Sequence, residues 1–221
     1  MLRADDNCEA NLSAHYLTEE RLMIQEAARE FTRREVIPAA NELDPVQGDM
    51  PEDLRRQMGE LGYFGVRMAP ELGGLGLGVF EYCLIAEELA RGWMSVSSII
   101  ARAGSLMDVG GWPLARREEK TAAAARGEYL SAIALSEPDV GSDLAGVSCR
   151  ARRDGDHYVI RGSKYWCTFA DGADYISLLA RLDDDQGQPV PGRAGLVTLI
   201  IEKARGTLPE GCQGAPIPKI G

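Results

Sequence analysis

Up to residue 128 the apolar positions recur with the period of helices, and from Tyr129 onward the period falls to that of strands. Thr18 precedes Glu19 and Glu20, a hydroxyl cap followed by acids that suit the positive end of a helix. Leu22, Ile24, Ala27, Ala28 and Phe31 then share one face, with Arg29, Arg33 and Arg34 on the solvated side. Pro38 is expected to break or kink this helix. A second helix is expected from Pro51 through Leu54, Met58 and Leu61, stopping at Gly62. A third runs from Val79 through Cys83, Leu84 and Leu89, with Glu81, Glu87 and Glu88 outside. Residues 95–107 read as a buried helix, and residues 116–125 as a short alanine-rich one closed by Gly127.

In the second part, residues 129–135 are strand-like and residues 147–153 alternate. Asp154-Gly155 is a hairpin turn signal, with a return strand over 157–166. Two more strands are expected over 175–182 and 194–201. The fold class is therefore α+β. A loose arm (1–16) precedes an all-helical N-terminal domain (17–128), and an antiparallel β-barrel or sandwich follows (129–221). Pro216 to Gly221 reads as the lead-in to another β segment, so the β domain is expected to be incomplete and its sheet edge exposed.

Composition narrows the function classes. The net charge of −10, with only four lysines and no basic cluster, argues against nucleic acid as the main partner. Five scattered cysteines without a C-x-x-C pair, and only two histidines, give a reducing compartment and no metal site. No apolar run reaches a membrane span, and no signal peptide is evident, so the expected location is cytoplasmic. The glycine-rich run from Pro70 to Gly78 fails both nucleotide tests. Its glycines miss the 1-3-6 spacing of the dinucleotide fingerprint, and no Gly-Lys-Ser/Thr follows. It reads as a structural loop.

Two stretches carry candidate chemistry. In Ala134-Leu135-Ser136-Glu137-Pro138-Asp139-Val140-Gly141-Ser142-Asp143, Pro138 ends a strand, Gly141 admits a special backbone conformation, and amides near Ser142 can face an anion. Lys164-Tyr165-Trp166-Cys167-Thr168 places an aromatic and a hydroxyl at a strand end. Spacing alone leaves these open as an ordinary strand-end loop, a core tryptophan and a strand cap.

The first run, with Gly146, resembles the signature of the acyl-CoA dehydrogenase family. Gly162-Ser163-Lys164-Tyr165-Trp166-Cys167-Thr168 is similar to that family's Gly-x-Lys-x-Trp-Ile-Thr segment. Val140 and Cys167 depart from the family pattern, which has a small residue at the first position and a β-branched one at the second. The resemblance implies an FAD-dependent acyl-CoA dehydrogenase with a helical domain, a β middle domain and a C-terminal helical domain. It implies FAD contacts from Leu135, Ser136, Gly141 and Ser142, with Trp166 against the flavin ring and Thr168 near its N5. Ser142 and Leu144 would also approach the acyl-CoA. Glu137 is implied to be structural, and Lys164 reads as solvated or as a loop ion pair.

The family's catalytic base lies in its C-terminal helical domain and matches no residue here, so no catalytic residue is assigned. Full activity is expected to need that further domain. An electron-transfer flavoprotein or similar acceptor and a homo- or hetero-oligomer are implied partners. A non-catalytic flavin- and acyl-CoA-binding subunit, an acyl-CoA oxidase and a flavin monooxygenase remain alternatives.

Overall fold

The computed structural model describes residues 16–217 and divides into two compact units, Met1–Glu128 and Tyr129–Gly221. Apart from Tyr16, the arm expected over 1–16 lies outside the described residues, as do residues 218–221. No described helix is long and apolar enough to cross a membrane.

The first unit is helical. Its first helix, α1 (Glu19–Phe31), starts at Thr18, whose Oγ1 accepts the Arg21 N–H at 3.3 Å. The chain does not break at Pro38. It widens into a π turn (Thr32–Val36), where Ile37 N–H reaches Thr32 O, and continues as α2 (Ile37–Leu43). The wide turn accommodates a proline that brings no N–H and crowds the turn before it. After α3 (Glu52–Glu60) come α4 (Val79–Gly92), α5 (Met94–Ile100) and α6 (Leu114–Ala125). Ala28, Val36, Met58, Leu89 and Val96 form the fully buried centre. Leu22 and Leu61, expected on buried faces, are exposed.

Two further expectations are corrected in this unit. Glu88, expected outside, is buried and lies 2.8 Å from Arg29 Nη2, so one of the supposedly solvated arginines supplies its countercharge. The helix expected over 95–107 stops at Ile100. Leu106 N–H donates to the buried Thr121 Oγ1 at 3.0 Å, and Arg117 holds Met107 O at 2.6 Å. Side chains of α6 thus satisfy backbone groups that a longer helix would pair internally. The glycine-rich loop is structural: Leu75 and Leu77 N–H donate to Gly65 O and Val66 O at 2.9 and 2.8 Å. A Cβ on Gly74 would fall 2.2 Å from Met68 O, so only glycine fits that approach.

The second unit is a five-stranded sheet: β1 (Ser131–Ala134), β2 (Arg150–Asp154), β3 (His157–Arg161), β4 (Tyr175–Leu182) and β5 (Leu196–Glu202). It is mixed rather than antiparallel, and among the described residues it does not close into a barrel. The β2–β3 and β4–β5 pairs are antiparallel, whereas β1 and β2 both run parallel to β4. With β5 along one edge of β4, β1 and β2 share the other. β1 ends with Ala134 opposite Leu178, and β2 begins with Arg150 opposite Arg181. Residues 135–149 are therefore an excursion that leaves the middle of this edge and rejoins it just beyond. β4 is apolar almost throughout instead of alternating, and no residue along it is exposed.

Candidate functional site

The excursion carries the first candidate run. Glu137 and Val140 exchange N–H···O bonds of 2.9 and 3.2 Å around Pro138 and Asp139, a tight turn with proline where its fixed φ is favoured. Val140 lies close enough to Gly146 that a Cβ added there would meet its Cγ2 at 3.6 Å, an ordinary contact. Gly141 does not adopt a positive φ, contrary to expectation. Its missing side chain instead leaves open space, since an added Cβ would meet no atom within 4 Å. Gly141 and Ser142 are exposed, and their N–H groups find no protein acceptor among the described residues. Leu144 opens a short 3-10 turn (Leu144–Gly146) and, with Leu135, packs on Val147, Cys149 and Leu179.

The second run stands on a loop, because the strand expected to reach Trp166 ends at Arg161. Gly162 explains the early end. Its φ is +154°, and a Cβ there would lie 2.7 Å from Cys149 Cα, so the chain bends away at closest approach to that residue. The bend returns residues 164–165 to the excursion. Tyr165 N–H donates to Ser136 O at 2.8 Å, and Lys164 Nζ reaches Leu135 O at 2.9 Å.

Trp166 comes next, with φ +60° and 65% of its surface exposed. A bulky residue in the left-handed region is a strained conformation that the surroundings must enforce. Those surroundings are visible: Cys167 and Phe169 pack on Ala132, Ala134, Ala173 and Ile176, while Thr168 N–H closes on Trp166 O at 2.8 Å. Thr168 itself is exposed. The bland alternative of a core tryptophan does not hold for Trp166.

Glu137 and Lys164 form the charged centre between the two runs. Their side chains are 2% and 9% exposed, and Glu137 Oε1 accepts from Lys164 Nζ at 2.8 Å. Ser148 N–H and Oγ donate to Oε2 at 2.8 and 2.6 Å, and Cys149 N–H donates to Oε1 at 2.9 Å. Burial pushes the carboxyl up, but Lys164, Ser148 and Cys149 together outweigh it and hold it down at about 2. A carboxylate held so firmly is a brace, far too weak a base to take a proton near neutrality. Lys164 is correspondingly a buried partner and not a solvated side chain.

Two profiles of known families match in sequence. "Acyl-CoA dehydrogenase, N-terminal domain" covers residues 18–120, and "Acyl-CoA dehydrogenase, middle domain" covers residues 132–216. The chain belongs to the acyl-CoA dehydrogenase family. It is 37% identical to a benzylmalonyl-CoA dehydrogenase of Aromatoleum aromaticum over 77% of its own length and 46% of the relative's. It is 33% identical to a (2S)-methylsuccinyl-CoA dehydrogenase of Cereibacter sphaeroides over 93% and 37%. Among solved structures, a glutaryl-CoA dehydrogenase of Mycobacterium smegmatis in complex with FADH2 superposes with a TM-score of 0.73 at 26% identity, over 86% of this chain and 47% of that one. The chain thus spans about half the length of such relatives, or less.

For an acyl-CoA dehydrogenase family member, the structure joins Leu135 and Ser136 to the Trp166 loop through backbone bonds. It leaves Gly141, Ser142, Trp166 and Thr168 at the surface, while Leu144 is partly buried. The sequence reading missed Ser148, whose signal is only a small hydroxyl residue ahead of a strand. It also missed Arg181, an arginine near the end of an apolar strand.

Proposed function

We propose that the protein acts in FAD-dependent α,β-desaturation of an acyl-CoA thioester, as an oxidoreductase. In this reading Leu135, Ser136, Gly141, Ser142, Trp166 and Thr168 hold FAD, and Ser142 with Leu144 holds the acyl-CoA. The observation that carries it is Trp166. An exposed tryptophan is kept in a left-handed backbone conformation directly after Tyr165, whose N–H holds Ser136 O, and free amides and open space lie at Gly141. An apolar ring face, hydroxyls and unpaired N–H groups are the donor set a flavin diphosphate calls for.

When bound, FAD supplies the acceptor for a hydride from the acyl β-carbon. The chain's own residues bind and orient. Glu137 and Lys164 fix the two runs against each other, and the hydroxyls and amides meet polar edges. Removal of the α-proton needs a separate base, and Glu137 is excluded from that role by its pairing. The two units serve as the family's N-terminal and middle domains, and an oligomer passing electrons to an electron-transfer flavoprotein completes the proposal.

The test is FAD retention and flavin bleaching by an acyl-CoA panel in the full chain encoded by its reading frame. Retention with bleaching supports the reading. A folded protein that keeps FAD but is bleached by no acyl-CoA sinks the dehydrogenase assignment.

A further inference from the structure

Arg181 lies on β4 where the excursion rejoins the sheet. It is 9% exposed, and four of its five N–H donors go to backbone carbonyls. Nη2 donates to Ala145 O at 2.5 Å and Nε to Val147 O at 3.3 Å. On the other side Nη1 donates to Val190 O at 2.7 Å and Gly192 O at 2.9 Å. No carboxylate pairs with it among the described residues.

Two turns far apart in sequence therefore meet on one planar fork. The first is the Leu144–Gly146 turn, one residue (Asp143) beyond Ser142; the second is the turn before β5. A guanidinium suits this task because its five N–H donors lie in fixed directions in one plane. A lysine ammonium, a compact charge with three donors, cannot span both sides. Without the fork the 3-10 turn keeps its own Gly146 N–H···O Asp143 bond of 3.0 Å and the apolar packing of Leu144, but it loses its hydrogen bonds to the sheet's Arg181 and, through that side chain, its link to the second turn.

We propose that Arg181 is a positioning residue for acyl-CoA: by locking these two turns together it sets the placement of Ser142 and Leu144, without touching the ligand. The inference rests on the function proposed above, specifically on acyl-CoA lying along Ser142 and Leu144. A misplacement of about 1 Å caused by a change far from the reacting atoms can cost about a hundredfold in rate.

The experiment uses FAD-supplemented full chain and titrates butyryl-CoA and free coenzyme A into wild type and Arg181→Lys by calorimetry. FAD content and thermal midpoint are measured alongside, with hydrogen exchange of residues 143–147 and 190–193. The expected result for Arg181→Lys is FAD still retained through Leu135, Ser136, Gly141, Trp166 and Thr168, and a Kd for both probes weakened about tenfold. Exchange should rise in both turns together. A purely structural role would lower the midpoint and leave the Kd of the folded fraction unmoved, and that outcome overturns the proposal.

Should Arg181→Lys fail to fold, wild type decides. Added butyryl-CoA is expected to slow exchange in both turns, and slowing confined to 143–147 overturns the coupling. Wild type that takes FAD but neither probe, or takes neither FAD nor probe, overturns the underlying reading and this inference with it. Wild type that binds all three, with an unaltered Kd in Arg181→Lys, overturns this inference alone.

Discussion

Lys164 Nζ lies 2.8 Å from Glu137 Oε1 with both side chains buried, so one ion pair clamps together the two runs that carry every proposed cofactor contact. Removing one partner of such a pair strands a buried charge. Lys164→Met is expected to lose about 3–5 kcal/mol of unfolding free energy. The double variant Lys164→Met/Glu137→Gln should recover part of that loss. Urea unfolding of the wild type and both variants checks this, and equal losses in the single and double variants would show that charge is not the cause.

The same pair sets an acid limit. Glu137 is held near 2, below its ordinary value of 4.5, so its contribution is fully present above about 4.5 and is lost as pH falls toward 2. It amounts to about 3 kcal/mol. Wild-type stability should therefore fall between pH 4.5 and 2 more steeply than that of Glu137→Gln. Parallel curves for the two proteins in urea titrations at stepped pH would contradict the assignment.

Trp166 separates stability from binding. The residue is 65% exposed and its φ is +60°, so Trp166→Gly removes little packing and relieves the left-handed strain. Strain relief and the added chain entropy of glycine nearly cancel, leaving apo-protein stability within about 1 kcal/mol of wild type. FAD retention should nonetheless drop sharply, as it should in Thr168→Ala. Unfolding curves and cofactor content of the same preparations make the comparison.

Two glycines give opposite expectations. A Cβ at Gly162 would meet Cys149 at 2.7 Å, and its φ of +154° is closed to alanine, so Gly162→Ala should destabilise by about 2 kcal/mol or more. At Gly141 an added Cβ meets nothing within 4 Å, so Gly141→Ala should alter stability by less than about 0.5 kcal/mol while weakening FAD binding. Denaturant midpoints together with FAD titrations check both.

Periodicity made the helical first part and the strand-rich second part legible, because each depends on which face of an element is buried. Sheet direction was not legible. The parallel pairing of β1 and β2 with β4 is set by where residues 135–149 leave and rejoin an edge, and local pattern does not encode that. Glu88 was misread for a similar reason: its partner Arg29 is far away in sequence, on another helix. Beyond the early stop at Ile100, backbone groups find tertiary partners on α6: Thr121 Oγ1 accepts from Leu106 N–H and Arg117 donates to Met107 O.

At the candidate site, residue types were readable from motif resemblance, but their support was not. The brace of Lys164, Ser148 and Cys149 around Glu137 gathers groups from separate segments. The strain at Trp166 appears only once backbone angles are known.

FAD content of the purified full chain, supplied with excess FAD and then desalted, tests the flavin floor most directly. Wild type is expected to retain FAD, and Trp166→Ala, folded to the same degree by circular dichroism, to release most of it. Folded wild type that carries no FAD, or a Trp166→Ala variant that retains FAD as wild type does, would contradict the account.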